Sequence, residues 1–409
     1  MRAIVISDTH FGAWTGRDLL REEFFLDRLA PALEGVDEVI LLGDLFDFLF
    51  GSVADAVESS AGLLALIAAK LPGRRFVFLA GNHDHHLVHR DEEDRLERVL
   101  ARGDALRPDG VPPAEPPGPA FFQGFLEARL PGVEVEIAYP TYTCAGVLCT
   151  HGHYLDPHAR MSGSRGSRLL TRTLWGIAAG GPEEPRTVAD YESVTTLLTE
   201  WLYIAAQMPH GTHAQQNVFR AARRAGRLAT AAGAPVRGVR RLAAGFRDRT
   251  EGIDAGLPSA EHFEAVVHEE AARQARESPV PGPPEALPRY PEPTVLSRSS
   301  PTEHALEAFS RVVANLGWDK RAEKVVFAHT HQPLADVRAS GGSTRYWNSG
   351  CWIYEPDLSS RQAYARYCRY AWPGTAIVID DSEPEPRLLQ LLADLNPLAG
   401  GPGLPKAPA

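Results

Sequence analysis

The first 150 residues alternate between short apolar runs and longer segments with helical periodicity, and this alternation constrains the fold more than any other feature. Runs of β-branched and apolar residues predict strands at Ala3–Ser7, Glu38–Leu42 and Arg75–Leu79. Between them, Arg17–Leu33 and Ala54–Leu71 carry apolar residues at helical spacing, as helices packed on a sheet would. The order strand, helix, strand predicts an α/β fold with ligand sites at the strand ends.

Later parts of the chain predict a second sheet and a large insertion. We expect the second sheet to contain Val133–Ala138, Tyr142–Thr150, Lys324–Ala328, Tyr346–Asn348 and Ala376–Asp380. The intervening stretch is mainly helical in pattern and ends in a connector with seven prolines between Pro279 and Pro293. The predicted organisation is a core in two parts, 1–154 and 302–395, separated by a helical insertion or cap with its proline-rich linker at 155–301 and followed by a disordered tail at 396–409.

Composition and charge narrow the classes of function. The length of 409 residues suits a core with an insertion, or two domains. A net charge of −10 argues against a dedicated nucleic-acid binder, although a local basic patch could override that average. We expect a cytoplasmic protein, because no segment reaches the ~18 consecutive apolar residues that span a bilayer and no signal peptide is evident. The four cysteines lack paired zinc spacing, so we expect free thiols at Cys144, Cys149, Cys351 and Cys368.

Five short polar motifs follow predicted strands and together supply the side chains of a metal site. They are Asp8-Thr9-His10, Gly43-Asp44-Leu45-Phe46-Asp47, Gly81-Asn82-His83-Asp84, His151-Gly152-His153 and His329-Thr330-His331. Residues at positions i and i+2 of an extended chain point to the same side, so the Asp8–His10 and His329–His331 pairs can each direct two ligands toward one pocket. Mixed carboxylate and imidazole ligands suit divalent manganese, iron or zinc, whereas calcium prefers oxygen alone.

In this order, the five motifs resemble the signature of the calcineurin-like metallophosphoesterase superfamily. The resemblance covers roughly residues 1–153 and 320–381. A lone Asp-x-His or His-x-His would be weak evidence, whereas five motifs in sequence at strand ends are specific. The resemblance implies a four-layer α/β/β/α sandwich, here with a large helical insertion, two divalent metal ions at the sheet edge, and a phosphate-ester substrate.

The resemblance also implies a role for each matching residue. It implies a first metal held by Asp8, His10 and His331, a second held by Asn82, His151 and His329, and Asp44 as the bridge. Two cations about 3.5–4 Å apart would share a water whose pKa falls toward ~7, which gives hydroxide as the nucleophile. His83 resembles the general acid that protonates the leaving alkoxide, and we expect Asp84 to orient its ring and raise its pKa. Asp47 is expected to support the loop or a histidine next to the metal ligands, and not to bind metal directly.

Several residues near the motifs have alternative interpretations. Each predicted ligand could be an ordinary turn residue, but the complete set, with the right chemical types for two metals, favours a site. For His153, contact with substrate, contact with a metal-bound water and a loop cap all remain open. His85, His86 and His89 are expected on the rim of the site, and Asn348-Ser349-Gly350 is expected to be a structural turn.

The predicted insertion contains a strongly basic segment. Between Arg220 and Arg249 it holds nine arginines against a single acid, Asp248, and its second half has the pattern of an amphipathic helix. This segment could be a solvated cationic face packed on the insertion's own core. It could also contact an anionic membrane surface, which would place the protein at the membrane periphery, or clamp an anionic substrate.

We therefore predict a dinuclear-metal phosphoesterase that hydrolyses a phosphomonoester, a phosphodiester or a pyrophosphate; the fold does not choose among them. Bacterial UDP-diacylglucosamine pyrophosphohydrolases are similar in their Gly-Asp-Leu-Phe-Asp and His-Thr-His stretches and in having a helical insertion. This chain departs from them in its longer insertion and in His83, where that group carries arginine, so their substrate is not carried over. Other candidates are a phospholipid-headgroup hydrolase at the membrane surface, a nuclease and a catalytically silent binding module.

Overall fold

The computed structural model describes residues 1–13, 17–87, 121–161, 185–208, 211, 302–356, 361–396 and 398. Within these ranges the strands are β1 Arg2–Ile6, β2 Arg17–Asp18, β3 Glu38–Leu42, β4 Arg75–Leu79, β5 Glu134–Ala138, β6 Tyr142–Cys144, β7 Val147–Cys149, β8 Lys324–Phe327, β9 Leu334–Arg338, β10 Arg345–Asn348, β11 Ile353–Tyr354, β12 Thr375–Asp380 and β13 Arg387–Gln390. The helices are α1 Glu23–Leu29, α2 Val53–Ser59, α3 Ala61–Lys70, α4 Phe121–Arg129, α5 Asp156–Met161, α6 Val188–Gln207, α7 Thr302–Asn315 and α8 Arg361–Tyr370. Short 3-10 helices lie at Leu19–Arg21, Ala30–Leu33, His153–Leu155, Trp318–Lys320 and Ala393–Leu395.

The first sheet has six strands in the order β13-β12-β1-β3-β4-β5. Strands β1, β3, β4 and β5 run parallel, while β12 and β13 add an antiparallel edge. Because parallel strands end at the same edge, the polar residues after β1, β3 and β4 meet there. This edge is where the first three motifs of the sequence come together.

The second sheet has five strands in the order β6-β7-β8-β10-β9. Strands β7, β8 and β10 are parallel, so the residues after β7 and β8 also share an edge. The single strand predicted at Tyr142–Thr150 is a hairpin of β6 and β7, because Ala145 and Gly146 both adopt positive φ in the tight turn between them.

Two strands predicted for the second sheet belong to the first. Strand β5 pairs in parallel with β4, and β12 pairs antiparallel with β1. The prediction was wrong because apolar alternation locates a strand without identifying its partner. The Pro-Gly pairs before β5 and β12 indicate turns but do not show which sheet each strand joins.

Alternate residues of the first sheet face two different layers. Ile4 and Ile6 point into a cluster formed with helices α1, α3 and α4, whereas Ala3 and Val5 point into a cluster shared with the second sheet. Helix α7 packs on the other face of the second sheet, where the Phe309 ring stacks on Phe327 at 4.3 Å between centroids. Strands that are buried on both faces have continuous apolar sequences, and the strands of this core have such sequences.

The two helices predicted in the N-terminal part are more broken than expected. Arg17–Leu33 begins with strand β2, which pairs with β11, and contains α1 between two 3-10 helices. The predicted helix Ala54–Leu71 is divided into α2 and α3 at Ser60. There the hydroxyl of Ser60 donates to the carbonyl of Val57 at 2.9 Å, a local bond of the kind that competes with the helical pattern.

Of the predicted insertion, the described residues include helices α5 and α6. The basic segment Arg220–Arg249, the proline-rich connector between Pro279 and Pro293, and His89 lie outside the described residues. None of the helices within the described ranges combines the length and apolar character of a membrane-spanning segment. The four cysteines are buried free thiols, as predicted.

Candidate metal centre

The polar residues that follow β1, β3, β4, β7 and β8 converge at one edge of the two sheets. Three overlapping groups have ligand atoms within 4.8 Å of one another: Asp8 with His10 and His331, His10 with Asp44 and His83, and Asp44 with His151 and His329. Side chains that are as many as 323 positions apart in the sequence therefore share one site. Most of these side chains are fully buried, so their polar atoms face one another instead of water.

The first group presents three ligand atoms to a common point. His331 Nε2 lies 3.1 Å from Asp8 Oδ1 and 3.1 Å from His10 Nε2. Asp8 Oδ1 is buried and has no hydrogen-bond partner of good geometry among the described residues. A buried carboxylate oxygen facing two imidazole nitrogens fits a divalent cation, which would satisfy all three.

The second group is built around His151. Its Nδ1–H donates to the carbonyl of Leu42 at 2.8 Å, which leaves Nε2 facing Asn82 Oδ1 at 3.3 Å and Asp44 Oδ2 at 3.4 Å. Burial acts to lower the pKa of His151, but the Asp44 carboxylate outweighs it and raises the pKa to about 9. The acidic surroundings that favour a proton here also favour a metal cation.

The second group also includes His329, which belongs to the last motif. Its Nε2 lies 3.0 Å from Asp156 Oδ1, so Nδ1 is the ring nitrogen left for the site. A carboxylate that orients a ligand histidine in this way is a common feature of metal sites. Asp156 was not predicted; its only signal in the sequence is its position shortly after the His151 motif.

Asp44 lies between the two groups. Its Oδ2 is 3.6 Å from His10 Nε2 and 3.4 Å from His151 Nε2, and its Oδ1 accepts the backbone N–H of His83 at 2.8 Å. The carboxylate is therefore fixed from one side and turned toward both groups. This is the placement expected of a bridging ligand.

The backbone of the site is unusual, because five of the predicted ligands adopt left-handed conformations. Their φ angles are 49° at Asp8, 50° at His10, 53° at Asp44, 68° at His329 and 56° at His331. Such conformations cost about 1–3 kcal/mol each and cluster at functional sites. The expected extended Asp-x-His and His-x-His geometry was wrong, since both members of each pair lie in the left-handed region, yet their side chains still reach one site.

Two glycines of the motifs are required by close contacts. A Cβ atom at Gly81 would overlap Asp44 Oδ1, and a Cβ atom at Gly43, whose φ is 86°, would overlap the His151 ring. Any larger residue at either position would displace a side chain of the site.

Asp47 orients two histidines at once. His83 Nδ1–H donates to Asp47 Oδ1 at 2.8 Å, and His10 Nδ1–H donates to Asp47 Oδ2 at 3.2 Å. Burial acts to raise the pKa of Asp47, but His83 and His10 lower it overall. The ionised carboxylate fixes the tautomer of both rings and leaves each Nε2 for the site.

Asp84 does not orient His83, so that prediction was wrong. Asp84 Oδ1 accepts the N–H of Gly81 at 2.7 Å and Oδ2 accepts the N–H of Leu45 at 2.8 Å, which joins two loops of the site. Burial, followed by the Asp44 charge, raises the pKa of Asp84 to about 7. The pKa of His83 is not raised as expected, because burial lowers it more than Asp47 and Asp44 raise it.

His153 is buried beside the second group. Its ring centroid lies 5.4 Å from that of His151 and 6.5 Å from that of His329, and its Nε2 lies 3.4 Å from the Tyr139 hydroxyl. Burial, followed by the charge of His151, holds the pKa of His153 well below its usual value. A neutral imidazole at this distance is compatible with contact to substrate or water.

The turn Asn348-Ser349-Gly350 supports the last motif, as expected. Asn348 Nδ2–H donates to the carbonyl of Ala328 at 2.9 Å and to Thr330 Oγ1 at 3.1 Å, while its Oδ1 accepts the N–H of Gly350 at 2.9 Å. These bonds fix the chain that carries His329 and His331.

An α/β fold with buried histidine and aspartate groups at the sheet edge fits a metal-dependent phosphoesterase. Residues 1–185 match the family model of the calcineurin-like phosphoesterases, and this match supports the metallophosphoesterase superfamily. No curated protein matches the chain. The matched residues include the first four motifs and end before helix α6 and the His329–His331 pair.

Proposed function

We propose that this protein is a dinuclear metal-dependent phosphoesterase. In this proposal one cation is held by Asp8, His10 and His331, the second by Asn82, His151 and His329, and both by Asp44. The observation that carries the proposal is the position of Asp44 Oδ2 between the groups, 3.6 Å from His10 Nε2 and 3.4 Å from His151 Nε2. The donor set suits manganese, iron or zinc.

The architecture that supports this site is proposed to be the four-layer α/β/β/α sandwich. The two sheets would form the inner layers, with α1, α3 and α4 outside one sheet and α7 outside the other. The core would consist of residues 1–154 and 302–395, with 155–301 as the insertion.

Bound divalent cations would supply an activated water and positive charge for the phosphate oxygens. The chain's own residues would orient the substrate and donate a proton to its leaving group. Asp44 keeps its orientation through the backbone N–H of His83, and Asp47 orients the rings of His10 and His83. These contacts leave the second ring nitrogen of His83 facing Asp44 in the site.

His83 is assigned as the general acid. With Nδ1–H donated to Asp47, Nε2 would carry the second proton of the protonated ring and donate it to the leaving oxygen. Nε2 lies 4.0 Å from Asp44 Oδ2. The Phe50 ring packs beside the imidazole, with 5.6 Å between centroids. General acids of this kind contribute about 10²–10⁴-fold to the rate.

The test is turnover of an aryl phosphomonoester, an aryl phosphodiester and a pyrophosphate by the full chain with added manganese. We expect wild type to hydrolyse at least one of them. On the corresponding alkyl ester, whose leaving group needs a proton, we expect His83→Ala to lose roughly 10²-fold or more in kcat while retaining its metal. Wild-type protein that binds metal and hydrolyses none of the three would contradict the proposal and favour a binding module. A His83→Ala variant as active as wild type on the alkyl ester would show that His83 is not the general acid.

A further inference from the structure

Helix α6 lies beyond the residues that match the family model, yet it contacts both loops that hold His83. One is the loop 81–87, which carries His83 itself. The other is the loop 47–53, which carries Asp47 and Phe50, the partners of the His83 ring. The contacts of α6 with these loops are polar and specific.

The loop 81–87 is held by two glutamates of the helix. Glu192 Oε2 accepts from His85 Nε2–H at 2.6 Å, and Glu200 Oε1 accepts from His86 Nδ1–H at 2.9 Å. The His86 ring also stacks on Tyr203 of the same helix, with centroids 3.8 Å apart. Two consecutive residues of the loop, starting two positions after His83, are therefore fixed to α6.

The loop 47–53 is held by the last residue of the helix. Gln207 Nε2–H donates to the carbonyls of Phe48 at 3.2 Å and Gly51 at 3.1 Å, and Gln207 Oε1 accepts the N–H of Val53 at 3.0 Å. The whole amide of Gln207 is used in binding this loop.

Glu192 also ties the helix to the rest of the site. Its Oε1 accepts from the hydroxyls of Tyr139, at 2.5 Å, and Tyr154. Burial opposes ionisation of Glu192, but His85, followed by His153 and Tyr139, lowers its pKa to about 2. One carboxylate thus joins α6 to the loop 81–87, to the residue after β5 and to the 3-10 helix after His151.

We propose that helix α6 positions His83 for proton transfer, with Glu192 and Gln207 as its positioning residues. The inference rests on the proposed function, because it concerns the general acid of that reaction. Proton transfer requires heavy atoms within about 2.6–3.2 Å, and an error of about 1 Å in position can reduce the rate by ~10²-fold. Releasing either loop from α6 would allow an error of this kind without removing any predicted metal ligand.

The first test compares leaving groups. Esters of an alkyl alcohol need the acid, whereas esters of a nitrophenol leave readily without it. We expect Glu192→Gln and Gln207→Ala to lose about tenfold or more in kcat on the alkyl ester and less than about threefold on the nitrophenyl ester, with metal content unchanged. A purely structural role would lower both rates equally.

The matched control is Asp190→Asn on the same helix. Asp190 accepts from the backbone N–H groups of Arg186 and Thr187 and so stabilises the start of α6. We expect this variant to keep the wild-type ratio of the two rates. If Asp190→Asn shifts the ratio as much as Glu192→Gln does, general loosening of the helix explains the effect and the inference fails.

The second test does not depend on catalysis. Hydrogen exchange of the metal-free protein should show faster amide exchange in residues 81–87 for Glu192→Gln and in residues 47–53 for Gln207→Ala, but in neither for Asp190→Asn. Unchanged exchange in these loops would overturn the inference even if the enzyme is active. If wild type has no activity, the proposed function fails, and the exchange result still decides whether α6 holds the loops.

Discussion

At the residue scale, the chemistry of the site depends on the carboxylate of Asp47, which is not one of the predicted metal ligands. Asp47 accepts from His10 at 3.2 Å and from His83 at 2.8 Å, so it links a proposed metal ligand to the proposed acid. Its third contact, with the N–H of Phe50 at 3.0 Å, fixes the loop that surrounds His83.

Asp47→Asn is expected to reduce activity about 10–100-fold, the usual effect of removing a residue that orients a ligand. An amide offers one oxygen and one N–H₂ group, so one histidine would lose its acceptor and meet a donor in its place. The measurement is kcat/KM together with the metal content of the purified protein.

The control for this change is Asp55→Asn, which alters an exposed aspartate at the start of α2. It should leave both activity and metal content as in wild type. An Asp47→Asn variant with full activity and full metal content would show that the two histidines hold their orientation without the carboxylate.

The sequence predicted which residues meet at the site but not all of their contacts. The predicted ligands lie in short motifs at strand ends, where spacing within a motif carries the information. The partner of His83 is Asp47 from another motif instead of its neighbour Asp84, because the loops after β3 and β4 pack against each other. Asp156 and Glu192 belong to no motif, and only the packing of the chain shows that they reach His329 and His85.

Helix α7 has a clear role at the element scale, because it covers the sheet from which the last motif emerges. Phe309 of α7 is fully buried and stacks on Phe327 at the end of β8, two residues before His329. The position of His329 therefore depends on apolar packing well outside the site.

Phe309→Ala is expected to lower the free energy of unfolding by about 3–5 kcal/mol, the usual cost of removing a buried phenylalanine. Urea unfolding would measure it. Arg311→Ala, at an exposed position of the same helix, should change stability by less than about 0.5 kcal/mol. A small effect of Phe309→Ala would mean that α7 does not pack on the second sheet as described.

Sequence patterns predicted the positions of the strands better than they predicted which strands pair. Strands β3 and β4 have the predicted bounds, Glu38–Leu42 and Arg75–Leu79, because buried parallel strands are short apolar runs with sharp polar ends. The sheet membership of β5 and β12 was not predictable, since it depends on contacts between strands distant in the sequence.

The site is a property of the whole molecule. Asp8 and His331 are 323 positions apart in the sequence but meet in the site. The left-handed backbone at Asp8, His10, Asp44, His329 and His331 is held by the packing of both sheets. Bound cations would compensate for this strain and for the crowding of carboxylates and imidazoles. The central claim is therefore that the folded chain holds a pair of divalent ions.

The most direct test is the number of tightly held divalent transition-metal ions per chain, measured by elemental analysis of wild type, Asp44→Ala and the exposed-site control Asp381→Ala. We expect about two ions for wild type and for the control and fewer for Asp44→Ala. We also expect the melting temperature to fall by several degrees once a chelator removes the ions. Wild-type protein that holds no transition metal after exposure to manganese, iron and zinc would contradict the account.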